Sequence, residues 1–112
     1  MLHFVFYTDW FVTANMAATT YGPFVFIRPS KRDDAGLLAH ELVHVKQFWN
    51  NPLFAFPYYF SKAARLRYEV EAYREQLKFH PDRETAFATI LATKYNLGIT
   101  VEEALAALRG GK

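Results

Sequence analysis

Residues 33–52 read DDAGLLAHELVHVKQFWNNP and carry the signals of a single helix. Asp33 and Asp34 offer side-chain oxygens that cap a helix N-terminus, and negative charge that is favourable there. Helical spacing then places five side chains on one face, namely Leu37, Leu38, Glu41, Val45 and Phe48. Because the residue before a proline avoids the α region, Asn50-Asn51-Pro52 ends the helix.

The segment His40-Glu41-Leu42-Val43-His44 lies inside this predicted helix. Residues four apart in a helix share a face, so His40 and His44 can present two imidazole nitrogens to one metal ion. Glu41 then lies beside the metal, where its carboxylate can take a proton from an activated water. This is the HExxH pattern, and it predicts a metal centre with Glu41 as general base.

The alternative reading is that the histidines are ordinary core residues. A single histidine on an apolar helix face is usually a core residue with one hydrogen bond. Two histidines that flank a glutamate are harder to bury without a metal, because each unpaired polar group would cost about 1–3 kcal/mol. The pattern therefore favours a metal centre over a metal-free core.

A site with two histidines needs a third protein ligand if it is to hold zinc and keep one position open for water. His3 and His80 are distant from the motif, and no further histidine follows it closely. The next predicted helix, from Ser61 to about Phe79, offers carboxylates instead. Two imidazoles and a carboxylate favour zinc and are also compatible with iron, nickel or cobalt.

Two glutamates of that helix are candidates for the third ligand. Glu69 shares its face with Tyr73 and the small Ala72, which would allow a close approach to the first helix. Glu71 shares its face with charged side chains, namely Arg67, Arg74 and Glu75, which suggests that this face contacts solvent. We predict Glu69 as the ligand, with Glu71 as the alternative.

The HELVH segment, followed by a second helix with Glu69-Val70-Glu71-Ala72, resembles the minimal gluzincin arrangement. That arrangement occurs in thermolysin-like peptidases and in many small bacterial and phage-associated metallopeptidase-like domains. The resemblance covers residues 24–79. It implies a Zn²⁺ cofactor held by His40, His44 and Glu69, and a peptide or protein substrate hydrolysed with Glu41 as general base.

The resemblance also implies that an upstream strand, Phe24 to Ile27, lines the substrate cleft. Thermolysin-like enzymes carry an aspartate four residues after the glutamate ligand, whereas Tyr73 stands at that position here. The groups that orient the two histidines are therefore unassigned. Gln47, three residues after His44, could meet the edge of the site, but an ordinary helix position is the favoured prediction.

Three functional readings remain open on the residues alone. The first is a zinc-dependent peptidase, which needs a donor for the developing oxyanion. The candidates for that donor are Tyr58, Tyr59, Tyr68, Tyr73 and His80. The second is a non-catalytic binding or assembly module that keeps zinc for stability. The third is a metal-free helical interaction protein whose HExxH pattern is accidental.

The rest of the chain predicts an α+β fold in a single domain, residues 1–112. Residues 2–7, 10–14 and 24–27 read as strands of a small antiparallel N-terminal sheet. Four to five helices follow. Pro57 can open a short one, Asp82 can cap one that reaches Tyr95, and Thr100 with Glu103 forms a capping box for one over Val101 to Leu108.

Composition narrows the classes of partner. The 112 residues include no cysteine, which excludes disulfides and thiol catalysis. The formal charge is only +2, and the nearest basic cluster is interrupted by Glu69, Glu71 and Glu75, so it reads as a solvated helix face and no nucleic-acid partner is expected. That cluster comprises Lys62, Arg65, Arg67 and Arg74.

The apolar stretches predict the compartment and one mode of association. Leu53 to Phe60 is too short to cross a bilayer, and the N-terminus lacks the basic region of a signal peptide, so a cytoplasmic protein is expected. Packing between the two metal-bearing helices accounts for most of one aromatic cluster, and any exposed part would indicate association. The cluster comprises Phe48, Trp49, Phe54, Phe56, Tyr58, Tyr59 and Phe60.

Overall fold

The computed structural model describes residues 1–53 and 55–110. In this part of the chain three strands precede five helices, which confirms the predicted α+β class. The strands are β1 (Phe4–Tyr7), β2 (Ala18–Tyr21) and β3 (Phe24–Ile27). The helices are α1 (Ala35–Asn50), α2 (Ala55–Phe60), α3 (Lys62–Leu77), α4 (Glu84–Lys94) and α5 (Val101–Leu108). Short 3₁₀ segments, Pro29–Lys31 and Pro81–Arg83, precede α1 and α4.

The sheet is mixed, in the order β1-β3-β2. β2 and β3 form an antiparallel hairpin around Gly22-Pro23, where Gly22 has a φ of +59° that suits glycine. β1 runs parallel to β3, so the prediction of an antiparallel sheet is wrong for this pair. The connection over residues 8–17 stays at the end of the sheet where β1 finishes, and β2 then returns the chain to the end at which β1 began, so β3 runs parallel to β1.

The prediction of a strand over residues 10–14 is also wrong, because this segment forms turns and bends. Phe11 has a φ of 67°, which a strand does not allow. The Arg28 guanidinium donates to the carbonyls of Met16 and Thr13, at 2.9 and 3.2 Å, and pairs with Asp9. Arg28 therefore holds this segment as a loop, and the second strand forms later, at β2.

Two apolar cores lie on either side of the α1–α3 pair. The first joins the sheet to α1 through Val25, Ile27 and Val45. The second joins α3, α4 and α5, with Tyr73 and Phe87 among its buried members. Because α1 contributes to one core and α3 to the other, the contact between these helices connects the two halves of the described chain.

The helix boundaries follow their sequence signals in most cases. Asp34 accepts a hydrogen bond from the Leu37 amide, and Ser61 caps α3 in the same way. Thr100 and Glu103 form the predicted capping box. Asp82 does not cap α4, because it lies within the 3₁₀ segment and Arg83 takes the capping position.

The basic residues Lys62, Arg67 and Arg74 of α3 are exposed, as predicted, whereas Arg65 is half-buried, and two of the arginines bond to other elements. Arg65 donates to the carbonyls of Tyr58 and Tyr95, at 2.9 and 2.8 Å. Arg74 donates to carbonyls at the end of α5. Within residues 1–53 and 55–110, no helix has both the length and the apolar character needed to cross a membrane.

Much of the aromatic cluster on and before α2 is exposed, so the prediction that packing explains most of it is wrong. Phe60 is 85% exposed, and Trp49, Phe56 and Tyr59 are exposed as well. The short α2 rests on α3 along one side and leaves its other side open. Phe54 lies outside the described residues.

Candidate metal centre

Helices α1 and α3 bring three predicted ligand residues together. His40 and His44 lie one turn apart on α1, and Glu69 faces them from α3. Oε1 of Glu69 is 3.3 Å from Nε2 of His40 and 3.2 Å from Nε2 of His44. Ala72, whose small size predicted a close approach of the helices, is fully buried.

This arrangement fits a metal ion. Tetrahedral zinc with bonds of about 2.0–2.1 Å places neighbouring ligand atoms roughly 3.3–3.4 Å apart. The two measured nitrogen–oxygen distances are close to that value, and one atom from each residue lies within 4.8 Å of the others. All three side chains are buried, so their converging lone pairs require protons or a cation between them. The cluster could therefore hold a metal ion.

Glu71, the alternative ligand, is not part of this cluster. It is exposed, and its Oε1 accepts a hydrogen bond of 3.2 Å from the amide nitrogen of Gln47. The structure therefore places Glu69 at the centre and Glu71 at its periphery.

Gln47 orients His44, so the prediction of an ordinary helix position is wrong. Nδ1–H of His44 donates to Oε1 of Gln47 at 2.8 Å, which leaves Nε2 to face Glu69. The amide nitrogen of Gln47 donates in turn to the carbonyl of Tyr68 at 3.0 Å, and this fixes which end of the amide meets the histidine. The three-residue spacing from His44 is the only signal of this role in the sequence, and it is weak.

Tyr73 supports His40 by packing. Its ring meets the His40 ring edge to face, with centroids 4.3 Å apart. Its hydroxyl pairs with that of Tyr95 at 2.8 Å. Tyr73 therefore contacts His40 through its ring, and its hydroxyl is engaged elsewhere.

Glu41 lies beside the cluster, and a residue of the sheet holds its side chain in place. Its Oε2 is 3.7 Å from Nε2 of His40, and its Oε1 accepts a hydrogen bond of 2.8 Å from the hydroxyl of Thr20. Sequence reasoning missed Thr20 because it placed the second strand at residues 10–14. No local pattern links a threonine of β2 to a glutamate of α1.

The buried charges perturb one another strongly. Burial lowers the pKa of His44, but the charge and hydrogen bond of Glu69, with smaller contributions from Glu41 and Gln47, raise it to about 9. Burial favours protonated Glu69, yet His44 and His40 hold the pKa of its carboxyl well below the usual range. Burial and Glu69 raise the pKa of Tyr58, whose neutral hydroxyl donates to Glu69 Oε2. In the metal-free site, a proton on His44 thus takes the place of a cation.

A cleft of about 670 Å³ opens onto His40, Glu41, His44 and Glu69. Its lining includes all four residues of β2, and it also includes residues of α2 and of the segment after α4, namely Tyr58, Tyr59, Tyr95 and Asn96. The prediction that the strand from Phe24 to Ile27 lines the cleft is wrong. This strand is β3, the central strand of the sheet, and β2 lies between it and the cleft.

The free edge of β2 faces outward along this cleft. The Arg28 amide donates to the Ala17 carbonyl, so these residues form a hydrogen-bonded pair of the hairpin. In an antiparallel ladder such pairs alternate, and the backbone groups of Ala18 and Thr20 therefore point away from β3. Ala18 is buried, whereas Thr20 is half-buried and lines the cleft, so the backbone of Thr20 is the more accessible of the two.

Of the candidate oxyanion donors, Tyr58 and Tyr59 line the cleft. Tyr73 is buried behind His40. Nε2 of His80 lies 3.4 Å from Oδ1 of Asp34, at the start of α1. Tyr95, which the sequence analysis did not consider, is a further lining residue.

Fold and site together define a small α+β protein with a buried His-His-Glu cluster that could bind a metal ion. The family model of the eCIS core domain matches residues 11–51, which contain β2, β3, α1 and the HExxH pattern. The match covers 41 of the 112 residues and ends before Glu69. Searches of the curated proteins and of the solved structures found no match to the chain.

Proposed function

We propose that the protein is a zinc-dependent peptidase that hydrolyses peptide or protein substrates. The observation that carries this proposal is the position of the Glu41 carboxylate, beside the His40–His44–Glu69 cluster and on the wall of a cleft. A buried cluster alone would serve stability equally well. A carboxylate beside that cluster, at a surface open to a substrate, is what hydrolysis additionally needs.

The residues divide the chemistry among themselves. When bound, zinc would supply a Lewis acid that polarises the scissile carbonyl and activates water for attack. His40, His44 and Glu69 would hold the ion. Glu41 accepts the proton of the attacking water and passes it to the leaving amine. Thr20 holds Oε1 of Glu41 and leaves Oε2 on the side of His40.

The form of the cleft supports a peptide as substrate. An extended chain can add to a free sheet edge through main-chain hydrogen bonds, and β2 presents such an edge. Thr19, Thr20 and Tyr21 of β2 line the cleft together with the metal cluster. A peptide paired with β2 would pass the cluster in the cleft that Tyr58 and Tyr59 also line.

The test combines metal analysis with one substitution. Protein purified without a His tag is expected to contain about one zinc per chain and to cleave members of a quenched-fluorescence peptide library. Glu41→Gln should retain zinc and lose about 10²–10⁴-fold in rate, because only the proton acceptor is removed. Glu102→Gln makes the same chemical change on the exposed surface of α5 and should cleave at the wild-type rate. Equal rates for Glu41→Gln and the wild type would rule out the mechanism.

A zinc-stabilised assembly module is the second candidate. The match to the eCIS core domain family favours it, as does the position of the cluster between two cores. The outer face of the sheet also exposes aromatic residues, including the stacked pair Phe4–Phe24. In this case no peptide is cleaved and Glu41→Gln has no measurable effect, whereas His40→Ala lowers the melting temperature.

A further inference from the structure

Two buried side-chain polar atoms lack a hydrogen-bond partner among the described residues, namely Nδ1 of His40 and Oε1 of Gln76. Both side chains are almost fully buried, at 3% and 6% exposure. A buried polar group without a partner costs about 1–3 kcal/mol. The two atoms are complementary, because a histidine that uses Nε2 for a metal carries its proton on Nδ1, and an amide oxygen accepts one.

The contacts between α1 and α3 place these residues on facing surfaces. The helices run antiparallel, since Gly36 lies against Phe79 and His80, whereas His44 meets Glu69 further along. Gln76 falls between these two contacts. It shares a face with Glu69 and Tyr73, which lie seven and three residues before it and both meet the histidines.

We propose that Gln76 is the positioning residue of His40, and that Nδ1–H of His40 donates to Oε1 of Gln76 when Nε2 holds the metal. This inference rests on the metal centre of the proposed function. It extends to His40 the arrangement already present at His44, whose Nδ1 donates to Oε1 of Gln47. A metal-ligating histidine almost always donates its second N–H to such an acceptor.

Tyr73, which also contacts His40 from α3, has its hydroxyl already paired. The hydroxyl of Tyr73 pairs with that of Tyr95, and its ring packs against the His40 ring. Gln76 has three rotatable side-chain bonds, so its amide can turn within the helix interface while the backbone stays in place. One glutamine from each helix would then orient one histidine, Gln47 from α1 and Gln76 from α3.

The experiment measures zinc affinity of the full chain by competition with a chelator. Gln76→Met keeps the length of the side chain and removes the acceptor, so affinity should fall about 10–100-fold. Gln76→Glu keeps an acceptor and should restore most of the loss. Gln47→Met removes the observed partner of His44 and shows how large such an effect is in this protein.

Nitrogen-15 NMR of the zinc-loaded wild type provides a readout that a purely structural role would not change. We expect a slowly exchanging Nδ1–H signal from His40 that is hydrogen-bonded in the wild type and in Gln76→Glu and lost in Gln76→Met. An unprotected His40 Nδ1–H in the zinc-loaded wild type would overturn the inference, even if Gln76→Met failed to fold. So would equal zinc affinity in Gln76→Met and wild type alongside a weakened Gln47→Met.

The two proposals fail in distinguishable ways. If the wild-type chain takes up no zinc, the metal centre itself is wrong, and this inference falls with it. If the wild type binds zinc and Glu41→Gln abolishes cleavage, the proposed function stands whatever the Gln76 variants show.

Discussion

His40 and His44 occupy equivalent positions one turn apart on α1, yet different contacts hold their rings. His44 donates to Gln47, whose amide is fixed in turn by the Tyr68 carbonyl. His40 packs against the Tyr73 ring, and its Nδ1 has no partner among the described residues. Packing limits the position of a ring, but only a hydrogen bond selects its tautomer. The Nδ1 proton of His44 is therefore fixed by a hydrogen bond, whereas that of His40 would be fixed only by the bond to Gln76 that we propose.

Thr20 tests how much the position of Glu41 matters. Thr20→Val keeps the shape of the side chain and removes the hydroxyl that donates to Glu41 Oε1 at 2.8 Å. We expect a rate loss of roughly tenfold or more, since a small misplacement of a catalytic group is costly. Zinc content should not change, because the Thr20 hydroxyl bonds to Glu41 and, among the described residues, to none of the three ligand residues. Peptide cleavage and metal analysis on the same samples check this.

Thr89→Val is the matched control, because Thr89 lies on the exposed surface of α4 and its hydroxyl bonds only to the preceding helical turn. Equal cleavage by Thr20→Val and Thr89→Val would show that Glu41 does not need the sheet to hold it.

Whether a residue of the candidate site could be predicted depends on whether its partner is near in sequence. His40, Glu41 and His44 could be predicted because helical spacing alone puts them together. Glu69 could be chosen over Glu71 because its neighbours on α3 are small or aromatic. Thr20 could not be assigned, because its partner Glu41 lies on another element and no periodicity reports a contact between elements.

Among the elements, α2 and the segment after α4 depend on a single side chain of α3. Arg65 donates to the carbonyls of Tyr58 and Tyr59 at the end of α2, and to those of Tyr95 and Asn96 after α4. The last carbonyls of a helix have no partner within the helix, so this guanidinium satisfies groups that would otherwise need water. Tyr58, Tyr59 and Tyr95 form one wall of the cleft, and Arg65 therefore holds that wall together.

Arg65→Lys should destabilise the protein although it keeps the charge. An ammonium group cannot reproduce the planar fork that reaches four carbonyls at once. We expect a decrease of about 1–3 kcal/mol in the free energy of unfolding, measured by urea denaturation, since at least one partly buried carbonyl loses its partner. Arg67→Lys makes the same change at an exposed position of α3 and should stay close to the wild type. If the two variants are equally stable, Arg65 does not secure the wall.

Element boundaries were predictable where a local signal fixes them. Asp34, Ser61 and the Thr100–Glu103 box each mark a helix start that the structure confirms. The strands were harder, because the aromatic residues of the 10–14 segment suggested β structure, whereas Arg28 holds that segment as a loop. The parallel pairing of β1 with β3 was not predictable, since strand direction is set by the path of the whole connection.

At the scale of the whole molecule, the candidate metal centre occupies the boundary between two cores. Val25 and Val45 belong to the core on the side of the sheet, and Tyr73 and Phe87 to the core of α3, α4 and α5. The match to the eCIS core domain ends at residue 51 and so covers only the first side. Two of the three predicted ligands come from that side, and Glu69 comes from the other. A metal ion held by all three would link the halves.

Removal of the metal should therefore lower the stability of the whole domain. A ligand that binds only the folded state adds about 2.7 kcal/mol when its free concentration is a hundredfold above its dissociation constant. For a domain of about this size, that gain corresponds to an increase of roughly 10 °C or more in melting temperature. Calorimetry of the zinc-loaded protein, before and after treatment with a chelator, measures the difference directly.

Glu69→Ala separates this linkage from a general effect of zinc on the protein. The variant keeps both histidines on α1 but removes the one ligand that α3 contributes. If the ion joins the two cores, added zinc should raise the melting temperature of the wild type and leave that of Glu69→Ala nearly unchanged. An equal response of both proteins would mean that zinc binds to α1 alone, and that the contact between α1 and α3 depends on packing around Ala72 without the metal.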